Sequence, residues 1–139
     1  MRLILSILLA STIAAEEQTT VLAWVTAYCP CRKCCGKHAD GKTATGKRCV
    51  NPIRMEDHWG IAADWRAVPK GSRIIIPGYK PSRYYAEDHA WPVDDTGGAM
   101  IRSWETRRVI HLDVRFINHS SARRWKSGWY EVTITKEKP

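Results

Sequence analysis

The chain has 139 residues, a formal charge of +8, and seven Trp and five Tyr against a single Phe. That length suits one domain with one modest core. The basic balance favours a polyanionic partner. No nucleic-acid-binding module is recognisable, so nucleic acid gives way to wall polymers or anionic surfaces as the expected partner. Trp and Tyr rings pair a flat apolar face with a polar edge, which serves sugar stacking as well as core packing.

Met1 to Ala15 reads as a secretory signal. Arg2 supplies its positive end, Leu3 to Leu9 is apolar apart from Ser6, and Thr12-Ile13-Ala14 offers a small-x-small cleavage pattern. The apolar run is too short to span a bilayer, and no later stretch reaches the ~20 residues required. An uncleaved anchor is the alternative. Either way, residues 16–139 are expected to form one domain outside the cytoplasm.

Val21 to Tyr28 predicts a first strand, with Val21, Ala23, Val25 and Ala27 on one face and Leu22, Trp24, Thr26 and Tyr28 on the other, both largely buried. Cys29, Cys31, Cys34 and Cys35 follow, with Cys49 further on. The Cys31-x-x-Cys34 spacing fits two zinc ligands on a turn. No second Cys-x-x-Cys or His pair follows, and an exported chain favours disulfides. All five cysteines are therefore disulfide candidates, and no resident metal or cofactor is expected. One thiol is left over, to be free, to link two chains or to join a metal site, and the connectivity is open.

His38 to Gly46 is a polar loop ending Gly41-Lys42-Thr43-Ala44-Thr45-Gly46. Small hydroxyl residues closed by Gly let a backbone approach a ligand, although spacing alone favours a plain hairpin loop. The nucleotide-loop pattern is absent. Gly60-Ile61-Ala62-Ala63-Asp64-Trp65 leads through the Pro69-x-Gly71 turn into a strand at Arg73 to Ile76, which Pro77-Gly78 ends. Tyr84 to Glu87 reads as a short strand, Asp88 to Pro92 as an irregular link, and Val93 to Met100 as a turn with acid at its mouth.

From Arg108 to Phe116 the alternation is clean. Ile110, Leu112, Val114 and Phe116 point one way, and Val109, His111, Asp113 and Arg115 the other. Ser120 to Lys126 predicts a Ser-capped helix of one to two turns closed by Gly128. Trp129 to Thr135 is a final strand. Many short strands with Gly and Pro turns, and no internal repeat or linker, argue for a compact β-barrel or sandwich.

The chemical inventory is thin. There is no Gly-x-Ser-x-Gly elbow and no His-Glu-x-x-His, and the cysteines cluster in a way that suits bridging. What remains is Asp64, Asp94, Asp95 and Asp113. An aspartate in a partly dry cleft beside another keeps its proton towards neutrality and can give it to a glycosidic oxygen. The competing role for each is a turn cap or an Arg partner.

Asp95-Thr96-Gly97-Gly98-Ala99-Met100, His111-Leu112-Asp113-Val114-Arg115-Phe116 and Ala122-Arg123-Arg124-Trp125 resemble the 3D domain, named for three aspartates. That domain is shared by stationary-phase survival and resuscitation-factor-like proteins and by MltA-type lytic transglycosylases. Thr26-Ala27-Tyr28-Cys29-Pro30, Lys42-Thr43-Ala44-Thr45-Gly46, Gly60-Ile61-Ala62-Ala63-Asp64 and Pro69-Lys70-Gly71-Ser72-Arg73 agree in order, so the resemblance runs from about Val25 to Ile134. It implies a mostly β fold, a six-stranded double-psi β-barrel with one or two short helices, acting on peptidoglycan glycan strands. The implied reaction cuts between N-acetylmuramic acid and N-acetylglucosamine without water and leaves a 1,6-anhydro ring. By motif position Asp113 would be the acid/base, Asp95 its partner and Asp64 a supporting aspartate. Tyr28, Lys42, Thr43, Thr45, Gly97 and Gly98 would contact substrate. This sequence departs from the pattern in an apparent insert at Arg102 to Arg108, in a doubled Asp94-Asp95 that leaves the alignment ambiguous by one residue, and in a richer cysteine cluster. A non-catalytic wall-binding module on the same barrel, comparable to expansin-like or barwin-like domains, is the runner-up. A redox or metal protein is third.

Overall fold

The computed structural model describes residues 16–136. The segment read as a signal, Met1 to Ala15, lies outside the described residues. Six strands, β1 (Gln18–Tyr28), β2 (Ile61–Ala62), β3 (Arg73–Ile75), β4 (Trp91–Asp95), β5 (His111–Arg115) and β6 (Gly128–Thr135), close into a barrel in the order β1-β5-β2-β4-β3-β6. The pairs β1–β5 and β2–β4 are parallel, and the other four are antiparallel. Among the described residues the α-helices are α1 (Arg32–Cys35), α2 (Gly98–Arg107) and α3 (His119–Arg124), with single 3-10 turns at Gly36–His38 and Met55–His58. The expected mostly β barrel is thus the architecture. Among the described residues no helix is long and apolar enough to cross a membrane.

Strand alternation builds the core. Ala23 and Val25 from β1, Leu112 and Val114 from β5, and Val132 and Ile134 from β6 all point inward and are buried. Ile61, Ile74, Trp91 and Val93 complete the layer. Burying this apolar set supplies the main drive to close the barrel. An aromatic cluster of Trp59, Tyr85, His89 and Trp91 packs edge-on and tilted beside it, with centroids 4.3 to 5.9 Å apart. Many of the Trp and Tyr rings are therefore core.

Several local expectations need correction. The second face of β1 is not uniformly buried: Leu22 is exposed while Tyr28 is covered. Tyr84 to Glu87 is a run of turns, not a strand. In the closed ring β3 already pairs with both β4 and β6, so no edge remains for it to join. The span read as a link and an acidic turn contains β4 up to Asp95 and then the start of α2. The apparent insert at Arg102 to Arg108 is the body of α2, whose first turn opens at Gly98. Asn118, not a serine, caps α3 by accepting the Ser121 amide, and Gly128 begins β6 rather than closing that helix.

Candidate active site

Asp113 occupies the middle of β5. Parallel pairing sets it opposite Thr26 of β1, and antiparallel pairing sets it opposite Ala62 of β2. The Thr26 hydroxyl donates to Asp113 Oδ1 at 3.0 Å and lies 2.8 Å from His111 Nε2. His111 Nδ1 lies 3.1 Å from Ser103 Oγ on α2. One donor direction satisfies every link: Ser103 to His111, His111 to Thr26, Thr26 to Asp113. Burial holds the His111 imidazole below its ordinary range, which fits the neutral ring that this direction requires. Burial pushes the Asp113 carboxyl up to about 7; the Thr26 hydrogen bond opposes the rise and the charge of Asp95 adds to it.

Asp95, the last residue of β4, faces the same cleft. Its Oδ2 accepts the Tyr28 hydroxyl at 2.7 Å, and its Oδ1 accepts the amides of Ala44 at 2.8 Å and Thr96 at 2.9 Å. Both oxygens are engaged, so this carboxylate is fixed in place. The Ala63 amide and the Trp65 indole both donate to the Asp95 carbonyl, each at 3.1 Å. The cleft between these groups has a volume of about 530 Å³ and is lined by Tyr28, Lys42, Thr43, Ala62, Asp95 and Asp113 among others. Gly97 and Gly98 line it where α2 begins, and unpaired first-turn amides of that helix lie at this end.

Alternation along β4 separates the two neighbouring aspartates. Neighbouring residues of a strand point to opposite sides. Asp94 points away from the cleft and is buried, held by Arg115 Nη1 and Nη2, each at 2.8 Å, and by Lys47 Nζ at 2.9 Å. Arg115 is fully buried and also donates to the Tyr28 hydroxyl at 3.2 Å. A continuous network thus runs from Lys47 through Asp94, Arg115 and Tyr28 to Asp95. A Cβ at Gly60 would stand 2.6 Å from Asp94 Oδ1 and 2.7 Å from Arg115 Nη2, so the close approach of this backbone requires glycine.

The remaining candidates divide. Asp64 is not among the cleft residues. It accepts the Arg66 amide at 2.8 Å and the Arg66 guanidinium, whose hydrogen bond holds its carboxyl below the usual range. Its flanking residues grip Asp95, so its support is positional. Thr43 lines the cleft, but its hydroxyl lies 2.9 Å from that of Thr45, and Thr45 in turn donates to the Asp94 carbonyl at 2.9 Å. Thr45 braces β4 and does not line the cleft. Thr26, which donates to Asp113, and Arg115, which donates to Asp94 and Tyr28, are contacts that the sequence reading did not single out. Their signal was present, since both fall on the faces that β1 and β5 direct at Asp113 and Asp95.

The disulfide expectation finds no support. Cys29, Cys31, Cys34, Cys35 and Cys49 are all thiols, and the sulfurs of Cys29 and Cys31 stand 2.9 Å apart, well beyond the ~2.05 Å of an S–S bond. The cysteines also meet a distant histidine. Cys29, Cys31, Cys34 and His119 place one ligand atom each within 4.8 Å of one another, a set that could hold a metal ion. His119 lies 85 residues beyond Cys34, and no local spacing announces it. No protein-family model matches the chain, and no curated protein matches it.

Proposed function

We propose that the protein is a peptidoglycan lytic transglycosylase with Asp113 as its single acid/base. The observation that carries this reading is the unequal pair of carboxylates in one open cleft. Asp113 is held near neutrality at the end of the Ser103–His111–Thr26 chain, and Asp95 is fully engaged by Tyr28, Ala44 and Thr96. A hydrolase of the usual kind needs two working carboxylates. Here the second is fixed by three donors and suits positioning and charge rather than proton transfer.

In this mechanism the Asp113 carboxylic acid protonates the oxygen leaving towards N-acetylglucosamine as the bond to C1 of N-acetylmuramic acid breaks. The C6 hydroxyl of the same muramic acid then closes on C1, and its proton passes to the Asp113 carboxylate. The acid is regenerated, no water is consumed and the product is a 1,6-anhydro sugar. Asp95 raises the affinity of Asp113 for its proton by like charge and faces the developing positive charge of the sugar ring. Lys42, Thr43 and the Gly97-Gly98 backbone line the glycan path in this reading.

The double-psi form of the barrel belongs to the same proposal. Two parallel pairs, β1–β5 and β2–β4, set within an otherwise antiparallel closed ring support it. So does the resemblance of the motif order given above to the 3D domain. Export through Met1 to Ala15 would bring the chain to its substrate, and the charge of +8 suits an anionic wall.

The test is digestion of purified peptidoglycan followed by mass spectrometry of the soluble products. Anhydro-muropeptides that vanish with Asp113→Asn support the reading. Products with reducing ends indicate a hydrolase, and binding without release leaves a wall-binding module; either result overturns it.

A further inference from the structure

We infer that Cys29, Cys31, Cys34 and His119 form a structural zinc site that ties the loop after β1 to the start of α3. The inference does not depend on the glycan reading. Three sulfurs and one imidazole nitrogen converge: His119 Nδ1 lies 3.8 Å from Cys29 Sγ, 3.6 Å from Cys31 Sγ and 3.4 Å from Cys34 Sγ. Cys29 Sγ lies 3.6 Å from Cys34 Sγ and 2.9 Å from Cys31 Sγ. A tetrahedral Zn2+ with sulfur at about 2.3 Å and nitrogen at about 2.1 Å separates its ligands by roughly 3.8 Å for S···S and 3.6 Å for S···N. Four of these five distances fall within 0.2 Å of those values, the Cys29–Cys31 edge must open, and the sixth edge, Cys31–Cys34, lies within 4.8 Å.

The donor set selects the ion. Three soft thiolates with one imidazole suit zinc, whereas magnesium and calcium take oxygen ligands. Four protein ligands leave no open position, so the role is structural rather than catalytic. Three thiolates with a dication carry one excess negative charge, and Arg32, Lys33 and Lys37 of the same loop offset it.

The local backbone is prepared for this. Cys31 and Cys34 bracket a tight turn in which the amides of Cys34 and Cys35 donate to the Cys31 carbonyl at 3.1 and 2.9 Å. Cys29 follows β1 directly and is buried, which anchors the cluster to the barrel. His119 is the first residue of α3 and is held there by the Asn118 cap. The site also has a place in the architecture: Cys34 and Cys35 line the cleft that holds Asp95 and Asp113. A bound ion would fix one wall of that cleft, a segment whose two short helical turns contain no buried residue.

The experiment is metal analysis of the full chain refolded under reducing conditions with Zn2+, and separately with Co2+. One metal per chain is expected. The cobalt form should show thiolate-to-metal charge-transfer absorption and tetrahedral d–d bands, and five thiols should titrate after chelation and denaturation. His119→Ala should lose the metal, Cys49→Ser should keep it, and His119→Cys should rebind it with stronger charge transfer. That last variant separates loss of a ligand from loss of the fold. The inference is overturned if the reduced chain holds no stoichiometric metal, if His119→Ala and Cys34→Ser both retain it in full, or if peptide mapping of the freshly purified protein finds a disulfide among Cys29, Cys31 and Cys34.

Discussion

Asp113→Asn is expected to remove the proposed acid/base and at the same time to make the protein more stable at alkaline pH. In the folded chain the Asp113 carboxyl is pushed up to about 7, against an ordinary value of 3.8. Below about pH 3 it is protonated in both the folded and the unfolded chain, and nothing is lost. As pH rises from about 4 to 7 the unfolded chain releases its proton while the folded chain keeps it, so folding stability falls. Above pH 7 the loss is complete. A difference of about three pH units corresponds to about 4 kcal/mol. Asp113 retains contact with the solvent of the cleft, and screening there brings the expected penalty to about 2 kcal/mol. Asparagine is nearly isosteric, carries no charge and can still accept from Thr26. Urea unfolding should therefore show Asp113→Asn matching the wild type near pH 3. At pH 8 its midpoint should be higher by about 1 M, taking a slope near 1.5 kcal/mol/M for a chain of this size. Equal midpoints at pH 8, or a gain independent of pH, would refute the argument that Asp113 is buried at the expense of its charge.

Three further outcomes follow from the same contacts. Thr26→Val removes the hydroxyl that favours the ionised form of Asp113, so the alkaline limb of the rate profile on peptidoglycan should move up by about one pH unit, the worth of roughly 1.4 kcal/mol of hydrogen bonding. An unmoved limb would show that Thr26 does not act through Asp113. Arg115→Met leaves Asp94 buried with only Lys47 beside it and should cost about 3 to 5 kcal/mol in denaturant unfolding. Gly60→Ala drives a methyl against the Asp94–Arg115 pair and should cost about 1 to 3 kcal/mol; a neutral result would show that this segment can shift away.

The strands β1, β5 and β6 are legible in the sequence because alternation is a local property, set by the pleat and by which side is buried. The same alternation picks out Ala23, Val25, Leu112 and Val114 as core, and sets Asp113 beside His111 and Arg115 on the opposite face. Two-residue β2 has too few positions to show a period. α2 escapes detection because its apolar positions are few: Met100 and Ser103 are its only buried residues. The first turn also begins with two glycines, which read as a loop.

Sequence order alone carried the barrel class, the aspartate inventory and the identity of Asp113 as the residue in mid-strand. Tertiary structure decided how those residues divide. Asp94 and Asp95 are indistinguishable as neighbours in a chain. Once β4 is a strand they face opposite sides, one into a buried ion pair with Arg115 and the other into the cleft with Tyr28. Only the fold shows that Asp64 lies outside the cleft lining and accepts from Arg66. The cysteines suggested bridges among themselves because their missing partner, His119, is brought to them only by barrel closure and the docking of α3. Periodicity and short spacing report what lies within a few residues. Pairings across 67 residues between Tyr28 and Asp95, or 85 between Cys34 and His119, are set by how strands close a ring.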